Sequence, residues 1–143
     1  MNHPFTYVGC FFNPSELWKK LQPYRHNPLE KTISEPHVTF AYRPNEVDQT
    51  LFGTDINVTI IGYGNNGMNE GVKVSINSDN PKLQSMISEI EIPHITISVS
   101  EGAEPVNTKD LEFAPVLPIE IRGKYGGFTE WRKVVLQQGD QPI

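Results

Sequence analysis

A chain of 143 residues, 37% hydrophobic and 20% charged, is long enough for one domain with its own core and needs neither a disulfide nor a metal to fold. Its apolar runs fall short of the roughly 20 residues that cross a bilayer, Cys10 is the only cysteine, and the opening residues lack the basic start and apolar core of a secretory signal, so the protein reads as cytoplasmic. A formal net charge of -5 argues against a surface for long duplex nucleic acid, whose affinity comes from Lys and Arg on phosphates, and leaves a small anionic ligand in a local pocket.

Residues 6–12 form a β-branched and aromatic run that predicts a strand. Asn13-Pro14-Ser15-Glu16 then offers an N-cap, a proline at the first helical position and a carboxylate soon after, so a helix follows with Leu17, Trp18 and Leu21 on its apolar side. Pro23 stops it, and residues 24–35 read as a polar loop before a strand over 37–43. Further strands are expected over 55–63 and 72–76, where Val72, Val74 and Ile76 alternate with Lys73 and Ser75. Asn80-Pro81 repeats the helix start, with Leu83, Met86, Ile87 and Ile90 on one face. Pro93 opens a strand over 94–99, and residues 117–123 and 133–136 are strands with Lys124-Tyr125-Gly126-Gly127 as a turn between.

The two halves repeat one pattern: strand, Asn-Pro helix start, helix, then a strand beginning Pro-His with Thr two places on. It runs over residues 6–43, ending in Pro36-His37-Val38-Thr39-Phe40, and over 71–99, ending in Pro93-His94-Ile95-Thr96-Ile97. By this chain's own composition, two of its four His landing in Pro-His-(Val or Ile)-Thr by accident is on the order of one in 10⁵. The expected fold is a single α+β domain over 1–143, two pseudo-symmetric halves around a central cleft. In each strand His and Thr share one face, while Val38, Phe40 and Tyr42, or Ile95, Ile97 and Val99, lie on the other with the core.

Two imidazoles and two hydroxyls suit phosphodiester cleavage. One neutral imidazole accepts a proton from an attacking water, the other as imidazolium protonates the departing ribose oxygen, and the Thr hydroxyls donate to the non-bridging phosphate oxygens. His37, His94, Thr39 and Thr96 are therefore the candidate catalytic residues, with His94 cast as base and His37 as acid, the reverse being open. A lone His-x-Thr would most simply be a structural histidine at a strand start; the duplication favours the functional reading. Zinc is disfavoured, because neither strand carries a third ligand at suitable spacing, and the scheme requires no metal or cofactor.

Gly62-Tyr63-Gly64-Asn65-Asn66-Gly67 matches a dinucleotide-binding pattern, but a strand follows it rather than a helix, so a glycine-rich hairpin flanking the cleft is the better reading. Lys73, Arg122 and Lys124 are candidate phosphate contacts, and Tyr7, Phe11, Tyr125, Phe128 and Trp131 candidate stacking residues. Tyr125 and Phe128 in a Gly-rich turn suggest a mobile lid. Otherwise these are surface charges and core aromatics. His3 and His26 read as surface residues, and Trp18 as helix packing.

At its two Pro-His-x-Thr segments the chain resembles the 2H phosphoesterase superfamily, defined by two His-x-Thr/Ser-x motifs in a duplicated fold. The order of elements is similar over nearly the whole chain. Members include LigT-like RNA cyclic phosphodiesterases, the cyclic phosphodiesterase domains of tRNA ligases and phage enzymes that cut cyclic nucleotide immune signals. The resemblance implies a bilobal fold of mainly antiparallel sheets flanked by short helices, metal-independent catalysis, His37 and His94 as the acid/base pair, and Thr39 and Thr96 as phosphate-oxygen donors. The implied substrate is a 2′,3′-cyclic phosphate of a nucleotide or short oligonucleotide end. The alternatives are a 3′,5′-linked cyclic di- or oligonucleotide, or binding of nucleotide or RNA ends without turnover.

Overall fold

Both helices begin at the Asn-Pro pairs. In the computed structural model, which describes residues 4–25, 27–131 and 133–136, Asn13 Oδ1 accepts from the Glu16 amide at the head of α1 (Pro14–Leu21). Asn80 Oδ1 accepts from the amides of Lys82 and Leu83 at the head of α2 (Pro81–Ser88). In each case the cap satisfies amides that the first helical turn leaves without a carbonyl. Leu17 and Leu21, and Leu83 and Ile87, four places apart, bury one side of each helix against the sheet. His3 and His26 lie outside the described residues.

The strands are β1 (Phe5–Phe11), β2 (Lys31–Thr32), β3 (His37–Tyr42), β4 (Asp55–Asn65), β5 (Asn69–Asn77), β6 (His94–Val99), β7 (Ala114–Thr129) and β8 (Val134–Val135). They form one sheet in the order β2-β6-β5-β4-β7-β1-β3, with β8 on β7, and every pairing is antiparallel. The α+β class holds, and the strands of both halves belong to one continuous sheet. The short β2 lies within what the sequence presents as loop, held by its pairing to the end of β6.

The expected turn at 124–127 does not exist. Lys124-Tyr125-Gly126-Gly127 is the middle of the 16-residue β7, which pairs with β4 through Lys124 and with β1 from Lys124 onward. The glycines serve close approach instead of reversal: a Cβ on Gly123 would strike Cys10 Sγ, one on Gly127 the Phe5 ring, and one on Gly126 would stand 2.5 Å from the Val135 carbonyl oxygen. Residues 62–67 do form a hairpin between β4 and β5, with Gly67 at φ 84°.

The sheet curls so that β3, at one end, comes against β6 without sharing a ladder with it. Val38 and Ile95 bury on the core side, at 1% and 0% exposure, so His and Thr of both motifs face the opposite way, toward the space between the two strands.

Candidate active site

Across the ladders, Phe11 faces His37 and Gly9 faces Thr39; in the second half Lys73 faces His94 and Gly71 faces Thr96. Immediately after each Thr the register slips by one residue, at Phe40 and at Ile97, so each His-x-Thr strand carries a β-bulge in the same place. A glycine stands opposite both bulges because nothing larger fits. A Cβ on Gly9 would collide with the Val38 carbonyl oxygen, and one on Gly71 would stand 2.7 Å from the Ile95 carbonyl oxygen and collide with the Thr108 methyl.

The first bulge corrects one expectation. Strict alternation puts Tyr42 with Val38 and Phe40 on the core side, but the extra residue turns Ala41 toward the core and Tyr42, 64% exposed, toward the His/Thr side.

A cavity of about 670 Å³ lies between the two strands. His37, Thr39, His94 and Thr96 line it together, with Tyr7 and Tyr42 on one side and Ile33, Glu104, Pro105 and Val106 on the other. Among the described residues no lysine or arginine lines it. His37 Nδ1 lies 2.7 Å from the carbonyl oxygen of Glu35, and His94 Nδ1 lies 2.8 Å from that of Ile92, each two residues upstream. A carbonyl only accepts, so each Nδ1 carries a proton and donates it, and Nε2 is the nitrogen left for chemistry. Burial holds the His37 imidazole below its ordinary value; the Glu35 carbonyl opposes this and the neighbouring His94 adds to it.

Thr96 is held from behind. Its Oγ1 lies 2.9 Å from Thr108 Oγ1 and 3.1 Å from the Pro105 carbonyl oxygen, and Asn69 Nδ2 donates to Thr108 Oγ1 at 3.1 Å and to the Glu104 carbonyl at 2.8 Å. Thr108 and Asn69 are buried, at 0% and 2% exposure. Sequence reasoning missed both, as it missed Glu104 and Val106, because they come from β5 and the loop after β6 and carry no motif. Equally unsignalled is the buried Glu70, which pairs with Arg25 at 3.0 Å and accepts from Ser98 Oγ at 2.6 Å and from the Tyr63 hydroxyl, tying the segment after α1 to β5 and β6. Burial and that carboxylate push Tyr63 up to about 12.

The remaining candidates divide. Tyr7 lines the cavity, but its ring is stacked between His37, at 4.4 Å between centroids, and Phe128, at 5.0 Å, and its hydroxyl lies 3.2 Å from His37 Nδ1. Phe11, 5% exposed, packs beside His37 at 5.7 Å. Tyr7 and Phe11 brace the imidazole from β1, the strand beside it, and Phe128 backs Tyr7 from β7, the strand beyond. Tyr125 is no lid residue: it is 2% exposed, inside the core, and burial pushes its hydroxyl up to about 12. Phe128 is fixed in the stack on Tyr7 and is likewise no lid.

Lys73 lies directly across the ladder from His94 and so on its face of the sheet. Arg122 and Lys124 are elsewhere: both reach Asp55, at 3.9 and 2.8 Å, and line a separate groove beside α1. The 62–67 hairpin and the exposed Trp131 also lie away from the cavity lining. Trp18 packs against the core with Arg25 over its ring. Cys10 is buried, which raises its thiol.

Among the described residues, no three His, Cys, Asp or Glu side chains gather as a metal cluster, and no helix is long and apolar enough to cross a membrane. No protein-family model, curated protein or solved structure matches the chain.

Proposed function

We propose that the chain is a metal-independent phosphodiesterase of the 2H type, cleaving a cyclic phosphodiester by two-histidine acid/base catalysis in the cytoplasm. The observation that carries this reading is the convergence of both His-x-Thr pairs on one cavity, each imidazole pinned through Nδ1 with Nε2 left for the substrate. The substrate that best fits is a 2′,3′-cyclic phosphate of a nucleotide or short oligonucleotide end.

In this mechanism a water proton passes to Nε2 of the neutral histidine as the water oxygen bonds to phosphorus. The bond from phosphorus to one ribose oxygen breaks, and that oxygen takes the proton from Nε2 of the protonated histidine. Atoms balance: water adds across one P–O bond and leaves a phosphomonoester and a hydroxyl. Because burial favours the neutral form of His37, we cast His37 as the base and His94 as the acid, the opposite of the assignment from sequence. Thr39 and Thr96 donate to the non-bridging oxygens, where charge builds in the transition state.

The test is turnover in EDTA of 2′,3′-cyclic mononucleotides, cyclic-phosphate-ended oligonucleotides and 3′,5′-linked cyclic dinucleotides, with His37→Ala/His94→Ala as control. Metal-free cleavage of one class, lost in the double variant, supports the reading and names the substrate. Tight binding of one class without turnover at any pH overturns it in favour of a nucleotide-binding module.

A further inference from the structure

Among the described residues the cavity that would hold a phosphodiester has no Lys or Arg in its lining, yet an arginine rests on one of the lining side chains. Tyr42 lines the cavity and is 64% exposed, and the guanidinium of Arg43 lies over its ring, Cζ 5.4 Å from the centroid. Of the three arginines among the described residues, Arg25 and Arg122 are in ion pairs and Arg43 is in none. Its backbone is unusual too. Arg43 is the one described residue other than glycine with positive φ, 48°, fixed by its amide donating to the Thr6 carbonyl at 2.7 Å. A residue with a Cβ adopts that conformation at a cost, and such costs collect at functional sites. Here the conformation ends β3 and the guanidinium rests on an aromatic face, in a chain whose net charge is -5.

The ladder sets the distance. Thr39 pairs with Gly9 and Tyr42 with Tyr7, so they are two β1 positions apart, about 7 Å along the strand and of the order of one nucleotide's sugar–phosphate link. We propose that Arg43 binds a second phosphate, one nucleotide along from the phosphodiester held by the His/Thr pairs. The preferred substrate is then a nucleotide with at least two phosphates in its backbone rather than a mononucleoside cyclic phosphate. This rests on the phosphodiesterase reading for the first phosphate. Two sources share the chemistry, a linear oligonucleotide end and a cyclic dinucleotide.

The experiment measures equilibrium affinity for uridine 2′,3′-cyclic phosphate, for the dinucleotide UpU ending in a 2′,3′-cyclic phosphate, and for a 3′,5′-linked cyclic diadenylate. It compares the wild-type protein, Arg43→Gln and Arg43→Gly, in the His37→Ala/His94→Ala background wherever a ligand is turned over. Both variants should weaken at least one two-phosphate ligand about ten-fold more than the one-phosphate ligand, and flatten its salt dependence by about one phosphate contact. The ligand that shows the larger loss identifies the source. Glycine suits φ 48°, so Arg43→Gly should keep or raise Tm while losing affinity. Equal losses for all ligands, no loss, or no binding by wild type overturns the proposal. The two readings fail separately: a two-phosphate preference without turnover sinks the hydrolase and keeps Arg43, and turnover without that preference does the reverse.

Discussion

Thr108 Oγ1 stands 2.9 Å behind Thr96 Oγ1, and Asn69 Nδ2 donates to that same Thr108 oxygen at 3.1 Å. Thr96 Oγ1 donates within this cluster, shared between Thr108 Oγ1 at 2.9 Å and the Pro105 carbonyl at 3.1 Å, so Thr108, itself held by Asn69, fixes where the Thr96 hydroxyl sits at the cavity wall. Opposite the end of the other His-x-Thr strand, the place of Asn69 in the ladder is taken by Tyr7, which braces His37. The same ladder position thus supports a histidine in one half and, through Thr108, a threonine in the other.

On the proposed mechanism, Thr108→Val should lower kcat about ten-fold with a smaller change in KM, since a misplaced Thr96 hydroxyl would be felt mainly as charge develops. Thr108→Ser should restore most of the loss. Equal activity of the valine and serine variants would show that Thr108 only fills space.

The His37 environment sets a pH dependence. Its imidazole in the folded protein sits below the ordinary 6.5, chiefly through burial, so on acidification the unfolded chain takes up the proton first. Stability from this group is present above about pH 6.5 and is lost as pH falls toward the folded value. Denaturant titrations between pH 5 and 7.5 should show this slope in wild type and a flatter one in His37→Gln. The acid limb of kcat/KM should likewise fall below pH 6.5. A slope unchanged by the substitution would assign it to other groups.

Gly9→Ala forces a Cβ into the Val38 carbonyl oxygen at the bulge, where the backbone has nowhere to retreat. A loss of about 1–3 kcal/mol is expected, with Tyr42 and Arg43 displaced at the cavity rim. Gly71→Ala should act similarly beside Thr96. Urea denaturation decides the matter, and wild-type stability in both variants would mean the bulges are not fixed by these glycines.

Tyr125→Ala should cost about 3–5 kcal/mol, the range for an aromatic deleted from a core. Tyr125→Phe should cost less than about 1 kcal/mol, because the hydrogen bond its hydroxyl makes among the described residues is the weak one to the Met86 sulfur, at 3.9 Å. A mobile lid residue would behave otherwise, with KM moving and stability holding.

Much of this was legible from local rules. The Asn-Pro starts located both helices, since cap and proline act within a turn of each other, and the i, i+2 period placed Val38 and Ile95 in the core behind their histidines. The failures share a cause. Gly126 and Gly127 look like turn residues, and only the strands packed against them reveal that their missing side chains make room. Tyr42 was misassigned because a bulge is a property of two strands together. Arg122 and Lys124 look like free cations until folding brings Asp55 between them. Thr108 and Asn69 act through contacts made only when β5, β6 and the following loop meet.

The long strand β7 is bonded to β4 along its first part and to β1 along its last. Before it forms, β1 with β3 and β4 with β5 and β6 can each pair, and no ladder longer than the two-residue β2 on β6 joins one group to the other. On a ribosome, where residues emerge in order, each histidine strand can therefore be in place while only short contacts hold the two halves to each other. The last long segment to appear closes the sheet between them, so a chain interrupted before residue 114 carries both motifs on a sheet still open in the middle.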